Sequence, residues 1–111
     1  MKSRSYEERH ADALEVFDGF MAGSVGDPER GARAMRRQHG ALGSFAFDVV
    51  MGDVWARSQL SRRDRSLIVI SVLATIGSTE ELSVHTMVGL NHGAQRSEIE
   101  EVLLHVAAYA G

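Results

Sequence analysis

The stretch SRRDRSLIVISVLATIG, residues 61–77, decides the fold class. Ser61 and Asp64 have the spacing of a capping box at a helix start, and Gly77 suits the end of that helix. After Ser66 the segment is apolar on nearly every side, which is typical of a helix buried on several faces. The run LIVISV is rich in β-branched residues, which favour strands, but it continues the capped helix. We therefore predict a helix here rather than a strand.

Two further helix starts follow with the same serine–acid spacing. Ser78 and Glu81 form the second pair, and Gly93 suits the end of the helix that they begin. Ser97 and Glu100 form the third pair. The last helix has an amphipathic face made of Ile99, Val102, Leu103, Val106, Ala107 and Ala110. The C-terminal half of the chain is therefore predicted to consist of consecutive helices.

The N-terminal half also shows helical periodicity. Residues 6–21 carry apolar side chains along one helical stripe. Asp27 suits the cap of a second helix whose first residue is Pro28, a position where the missing N–H costs nothing. The stretch HGALGS, residues 39–44, predicts a break in this helix. A helical pattern resumes over residues 45–58, so no part of this half favours a strand.

Length and composition place these helices in one small domain. A chain of 111 residues suits a single domain, and 44% hydrophobic with 24% charged residues is typical of a globular protein. We predict an all-α fold, a single-domain helical bundle of five to six helices over residues 1–111. Because so short a chain buries a small share of its surface, we also predict a homo-oligomer in which a partner subunit covers part of the apolar helix.

The composition also excludes several functions. The chain has no cysteine, which removes disulfides, thiolate metal sites and thiol-based redox chemistry. Its N-terminus has no apolar stretch of the signal-peptide type, and its longest apolar run, residues 67–77, is too short to span a bilayer. A net charge of −3, without aromatic residues between the arginines, suits nucleic acid poorly. We expect a cytoplasmic protein that binds neither nucleic acid nor membrane.

The stretch EELSVHTMVGLNHG, residues 80–93, holds the first candidate site. Glu81 and His85 are four residues apart, so their side chains meet on a helix surface. A carboxylate beside an imidazole fixes its tautomer and raises its basicity, which gives a general acid/base unit near neutral pH. The alternative is structural: Glu81 completes the capping box of Ser78, and His85 lies on a solvated face. Spacing alone favours this structural alternative.

A metal site in the same stretch is a weaker interpretation. His92 lies nearly two helical turns from His85, too far for one ion without ligands from other elements. The two-histidine pattern of helical zinc sites is absent. We therefore expect no metal, and the sequence leaves open whether His92 belongs to a site or to the core.

Arginines form the second group of candidates. In RGARAMRRQHG, residues 30–40, the side chains of Arg33, Arg36 and Arg37 are predicted to share one helical face. Guanidinium groups bind carboxylates through paired hydrogen bonds, so this face suits a small anionic substrate. A solvated or ion-paired surface is the better interpretation for any single arginine. Arg65 begins a buried helix and needs a partner, either an acidic side chain or a substrate.

Residues 52–111 resemble the carboxymuconolactone decarboxylase family. The matching elements, in order, are GDVWAR, RDRSL, EELSVH, GLNHGA and EIEEVLLHVAAYAG, and RGARAMRRQHG resembles the arginine-rich helix upstream of them. The resemblance implies an all-helical fold that assembles as trimers or hexamers. It also implies a decarboxylase that needs no cofactor and acts on a small anionic lactone such as 4-carboxymuconolactone. A sister branch of thiol peroxidases is excluded because this chain has no sulfur nucleophile.

The resemblance changes how the candidate residues are interpreted. It favours the functional role for His85 as the proton-transfer residue, with Glu81 as the residue that orients it. Arg36, Arg37 and Arg65 are then expected to bind the negative charge of the substrate. Two alternatives stay open: a cofactor-free isomerase, dehydratase or decarboxylase acting on another cyclic acid, and a non-catalytic helical oligomer that binds a small ligand.

Overall fold

A computed structural model describes residues 4–111, so the first three residues of the predicted 1–111 domain lie outside the described part. The helices are α1 (Tyr6–Phe20), α2 (Pro28–Phe45), a π-helical segment (Ala46–Trp55), α3 (Arg62–Ile76), α4 (Thr79–Asn91) and α5 (Arg96–Ala110). Residues 4–111 contain no strand, and the prediction of an all-α fold is confirmed. They form two compact units: α1, α2 and the π-helical segment make the first, and α3, α4 and α5 make the second.

The first unit has a small aromatic core. Ala13 on α1, Ala32 on α2 and Phe47 on the π-helical segment are fully buried against one another. The helix starts are capped as their sequences favour: Ser5 accepts a hydrogen bond from the main-chain N–H of Glu8, and Asp27 caps α2 with Pro28 at its first position. The predicted start of the second helix is therefore confirmed.

The break predicted at residues 39–44 is confirmed, and it takes the form of a kink inside α2. The helix continues to Phe45 with a kink at Gly40, whose φ of 55° and ψ of −127° are non-helical. Glycine alone adopts such angles without a steric penalty, so the chain bends inside α2 and does not end there. The residues after the kink form the π-helical segment, whose wider turns are rare over a length of 10 residues.

Arginines of the N-terminal region fix the π-helical segment to α1. Arg4 pairs with Asp12 on α1 and with Asp53 on the segment, the latter at 2.8 Å, and it also donates to the carbonyl of Gly52. Arg9 contacts Asp53 at 3.0 Å and donates to the carbonyl of Asp48 at 3.0 Å. Main-chain carbonyls of the π-helical segment therefore accept hydrogen bonds from guanidinium groups. Such charge-assisted hydrogen bonds are stronger than hydrogen bonds between neutral groups.

The caps of the second unit follow the sequence in part. Ser61 accepts from the N–H of Asp64 at 3.0 Å, and Gly77 ends α3 in the left-handed conformation with a φ of 75°, so both ends predicted for α3 are confirmed. The predicted cap at Ser97 is wrong. α5 begins two residues earlier than predicted, at Arg96, and its cap is Gln95, whose N–H donates to the carboxylate of Glu98 at 2.9 Å. Gln95 and Glu98 have the same spacing of three residues as Ser97 and Glu100. The extended backbone of Gln95 makes the first pair the cap.

The core of the second unit lies where α4 crosses α3. Ile70 is fully buried, and Ala94 and Ile99 pack against it. Gly89 of α4 makes this approach possible, because a Cβ atom there would lie 3.3 Å from Cδ1 of Ile70 and 3.5 Å from Cβ of Ser66. A Cβ atom at position 89 would require the side chain of Ile70 to shift by a few tenths of an ångström, so the position favours glycine.

Much of the apolar surface of α3 stays exposed. The exposed fractions are 50% for Ile68, 51% for Val72 and 69% for Ile76. The composition of α3 suggests burial on several sides. The single chain does not provide that burial. No helix within residues 4–111 combines the length and the apolar character needed to cross a bilayer.

Replacing Gly40 should destabilise the first unit. We expect Gly40→Ala to lower the free energy of unfolding by about 1–3 kcal/mol, because a Cβ atom forces a strained conformation at these angles. Urea denaturation followed by circular dichroism measures the change. Gln38→Ala, on the exposed surface of the same helix, is the control and should change stability by less than about 0.5 kcal/mol. Equal stabilities for the two variants would contradict the strained kink.

Candidate functional site

Helix α4 brings Glu81 and His85 into electrostatic contact. His85 is half-buried, and this burial lowers its pKa below the ordinary value of 6.5, while the negative charge of Glu81 acts in the opposite direction. The side chain of Ser78 makes no capping hydrogen bond, so the predicted capping box with Glu81 is not formed from the serine side. Glu81 is exposed in the first turn of α4 and its charge is directed at an imidazole.

His92 is part of the same surroundings. Its Nδ1 atom lies 2.8 Å from Oγ of Ser66, which is completely buried on α3. Burial lowers the pKa of His92, and the positive charge of Arg62 and the proximity of His85 lower it further. We name the group of Glu81, His85, His92, Ser66 and Arg62 the histidine cluster.

Sequence reasoning missed two members of the histidine cluster. Ser66 is a polar residue inside the apolar helix α3, and a buried hydroxyl needs a hydrogen-bond partner, so its position was a usable signal. Arg62 follows the capping serine and resembles any surface arginine in the sequence. Its effect on His92 depends on the packing of α4 against α3, which no local pattern reveals.

The histidine cluster suits proton transfer near neutral pH. Both imidazoles lose basicity by burial, so both are largely neutral at pH 7 and either one can accept a proton. Their surroundings differ: the negative charge of Glu81 acts on His85, and the positive charge of Arg62 acts on His92. Within residues 4–111, no group of three or more His, Asp or Glu side chains is arranged to hold a metal ion.

The predicted arginines divide between the two units. Arg65 lies on α3 directly before Ser66 and is half-buried, so it belongs to the unit that contains His85. Arg36 lies in the first unit, where it donates to Asp48 at 2.8 Å and its guanidinium lies over the ring of Phe47, 5.3 Å from the ring centre. The ion-paired alternative, which the sequence favours for any single arginine, is therefore the one that the structure shows for Arg36.

Arg37 faces a different direction from Arg36. It lines an open cavity of about 530 Å³ together with Arg30 and Arg33, which are spaced along one face of α2. The remaining lining residues are Val25, Gly31 and Ala34, so no carboxylate borders this cavity within the described chain. Three guanidinium groups around one cavity attract small anions.

Comparison with known proteins covers the second unit and part of the first. Residues 41–111 match the carboxymuconolactone decarboxylase family. A 4-carboxymuconolactone decarboxylase of Acinetobacter baylyi is 42% identical over 68 residues, which are 61% of this chain and 51% of that protein. A nitrosuccinic acid decarboxylase of Metarhizium robertsii is 38% identical over 60 residues, 54% of this chain and 42% of that protein. The chain therefore spans about half the length of these relatives or less.

Stability should fall in mild acid because of the two buried imidazoles. The folded-state pKa values of His85 and His92 lie below 6.5, so the unfolded chain binds more protons than the folded chain as the pH falls through this value. We expect the free energy of unfolding to be lower at about pH 5.5 than at about pH 7.5. Urea titrations at the two pH values measure the difference. The double variant His85→Gln/His92→Gln should lose part of it, and an unchanged difference in that variant would contradict this origin.

Proposed function

The chain belongs to the carboxymuconolactone decarboxylase family, and from this premise we propose that it is a cofactor-independent decarboxylase of a small carboxylic acid. The substrate class that we favour is an unsaturated lactone acid such as 4-carboxymuconolactone. Two relatives named as decarboxylases of small acids support the reaction type. The observation that carries the proposal is the half-buried His85 under the influence of Glu81, within the residues that match the family.

The proposed reaction needs no external electron acceptor. When the bond to the carboxylate breaks, the carbon dioxide leaves without the bonding electrons, and the conjugated carbonyl of the lactone receives them as an enolate. A proton must then reach carbon. The enzyme accordingly has to bind anionic groups, stabilise an oxyanion and supply a proton.

His85 is the proposed proton donor to carbon. Burial lowers the pKa of His85, so its protonated form gives up the proton readily. The negative charge of Glu81 raises the pKa in part and so favours the protonated form. A bound anionic substrate adds a second negative charge, which favours the protonated form when it is needed. Glu81 thereby has the role of orienting and charging the imidazole.

Cationic side chains are the proposed binding groups for the carboxylates. Arg65, on the same helix as Ser66, is the candidate in the second unit. In the first unit, Arg37 lines a cavity together with Arg30 and Arg33, and we propose that this cavity by itself suits a small anion.

We further propose that the active form is a homo-oligomer, a trimer or a hexamer. The support is an open groove of about 600 Å³ along α3 and α5, which Leu67, Ile68, Val102 and Val106 line among other residues. Leu104 and Tyr109 on α5 are 63% and 83% exposed. Apolar side chains gathered on one surface of so small a chain mark an interface between proteins.

Substitution of His85 tests the chemistry. We expect His85→Gln to lower kcat on 4-carboxymuconolactone by about a hundredfold or more, because an amide cannot transfer a proton at neutral pH. The assay follows loss of freshly generated substrate. Circular dichroism should show that the helices stay intact. A wild-type rate in this variant would remove His85 from the reaction.

Glu81→Gln separates an electrostatic role from a structural one. If Glu81 charges His85, the rate should fall by roughly ten- to a thousandfold with little change in stability. Glu80→Gln is the matched control, since it removes a neighbouring first-turn carboxylate of α4, and its rate should stay near that of the wild type. Equal rates in the two variants would return Glu81 to a structural role.

The oligomer has a direct test. Light scattering after gel filtration should give a mass three or six times that of one chain at micromolar concentration. The double variant Ile68→Lys/Leu104→Lys places two charges on the exposed apolar surface and should dissociate the assembly. A folded wild-type monomer under these conditions would contradict the proposal.

A further inference from the structure

Three arginines on α2 differ from the other arginines of the described chain. Within residues 4–111, Arg30, Arg33 and Arg37 form no ion pair, hydrogen bond or ring contact. Each of the remaining arginines has an ion pair or another contact of this kind: Arg4, Arg9, Arg36, Arg57, Arg62, Arg63, Arg65 and Arg96. The three exposed guanidinium groups around the cavity on α2 therefore lack a counterion in the described chain.

The acidic residues at the start of α2 do not neutralise these charges. Asp27 accepts a hydrogen bond from the N–H of Glu29 at 3.0 Å and so caps the helix. The carboxylate of Glu29 lies 2.7 Å from Nε2 of His10. Neither acidic residue lines the cavity. Like charges three and four residues apart repel one another and destabilise a helix, so an anion in the cavity would relieve this repulsion.

The other walls of the cavity are apolar and suit a ligand that has a carbon skeleton. They are formed by Val25, Gly31 and Ala34. A Cβ atom at Gly31 would lie 2.3 Å from Cε2 of Phe17, so α2 lies directly against that ring. The volume of about 530 Å³ is in the range of sites for small organic molecules. An organic anion would bury these apolar walls, whereas a bare inorganic ion would leave them in contact with water.

The spacing of the three arginines gives the length of the ligand. Arg30 and Arg33 are neighbours on the helix surface, as are Arg33 and Arg37, so each pair can hold one carboxylate through paired hydrogen bonds. The midpoints of the two pairs lie about 5 Å apart along the helix axis. Carbon–carbon bonds of about 1.5 Å place the carboxyl carbons of an extended five-carbon diacid about 5 Å apart as well.

We propose that this cavity binds an organic dicarboxylate of about five carbons, with one carboxylate between Arg30 and Arg33 and the other between Arg33 and Arg37. The inference rests on the proposed function only in placing an anion in this cavity, and it requires no decarboxylation. The three arginines lie outside residues 41–111, so the match to the family assigns no ligand to them.

Binding of diacids of different lengths tests the spacing. Isothermal titration calorimetry on the wild-type chain, at constant ionic strength, compares malonate, glutarate and pimelate, which have three, five and seven carbons. We expect glutarate to bind with a dissociation constant lower by about fivefold or more than those of the other two. Butyrate, with one carboxylate, should bind more weakly than glutarate by about tenfold or more. Equal affinities for the three diacids would overturn the two-carboxylate arrangement.

Substitutions of Arg33 test the shared contact. We expect Arg33→Gln to raise the dissociation constant of glutarate by about ten- to a hundredfold, because both carboxylates lose a charged partner. Arg33→Lys keeps the charge without the paired donors and should give an intermediate loss. Arg96→Gln removes the same charge from an arginine that pairs with Glu100 on α5, and it should leave the affinity unchanged. Equal affinities in Arg33→Gln and Arg96→Gln would contradict the site.

The remaining outcomes separate this inference from others. Pyrophosphate that binds more tightly than glutarate would replace the dicarboxylate by a phosphate-bearing ligand and overturn the assignment. The absence of any glutarate binding would overturn it too, whatever the activity is. If the wild-type chain binds glutarate as expected but leaves 4-carboxymuconolactone and related lactone acids intact, the proposed decarboxylase reaction fails and the inference stands.

Discussion

The close approach of α4 to α3 at Gly89 is the contact on which the second unit depends. The absence of a side chain at this buried position lets the backbone of α4 lie against Ile70 and Ser66. The apolar side of the contact forms the core with Ala94 and Ile99. The polar side forms the hydrogen bond between Ser66 and His92. Packing and chemistry therefore share one crossing point, and a change that separates the helices affects both.

The electrostatics of the histidine cluster follow from this packing. Burial removes water from two imidazoles and lowers the pKa of each, so both favour the neutral form at neutral pH. One carboxylate and one guanidinium, from different helices, then make the two rings unequal. A pair of like residues with unlike surroundings is a common basis for separate roles in acid–base catalysis. All of these residues lie within the range that matches the carboxymuconolactone decarboxylase family.

The sequence was informative where a residue acts through its immediate neighbours. The cap at Ser61 and the end at Gly77 depend on local backbone geometry, and both were predicted correctly. The resemblance to the carboxymuconolactone decarboxylase family, seen in short motifs, is confirmed by the match over residues 41–111. The predicted cap of α5 was wrong because two possible capping pairs overlap there, Gln95 with Glu98 and Ser97 with Glu100. Only the extended backbone of Gln95 decides between the two pairs. The contact of Ser66 with His92 joins residues 26 positions apart, so it depends on tertiary packing that no helical period encodes.

The π-helical segment of the first unit makes the chain sensitive to length. Each of its turns holds about one residue more than an α-helical turn, because its hydrogen bonds span one further residue. Removing a single residue without a change in the winding of the segment rotates the following side chains by about a quarter of a turn around the axis. Asp53 would then point away from Arg4 and Arg9, which now hold it to α1. An insertion or deletion in this segment would therefore break the ion pairs that hold it to α1. We expect homologous chains to conserve the length of this segment more strictly than its side chains.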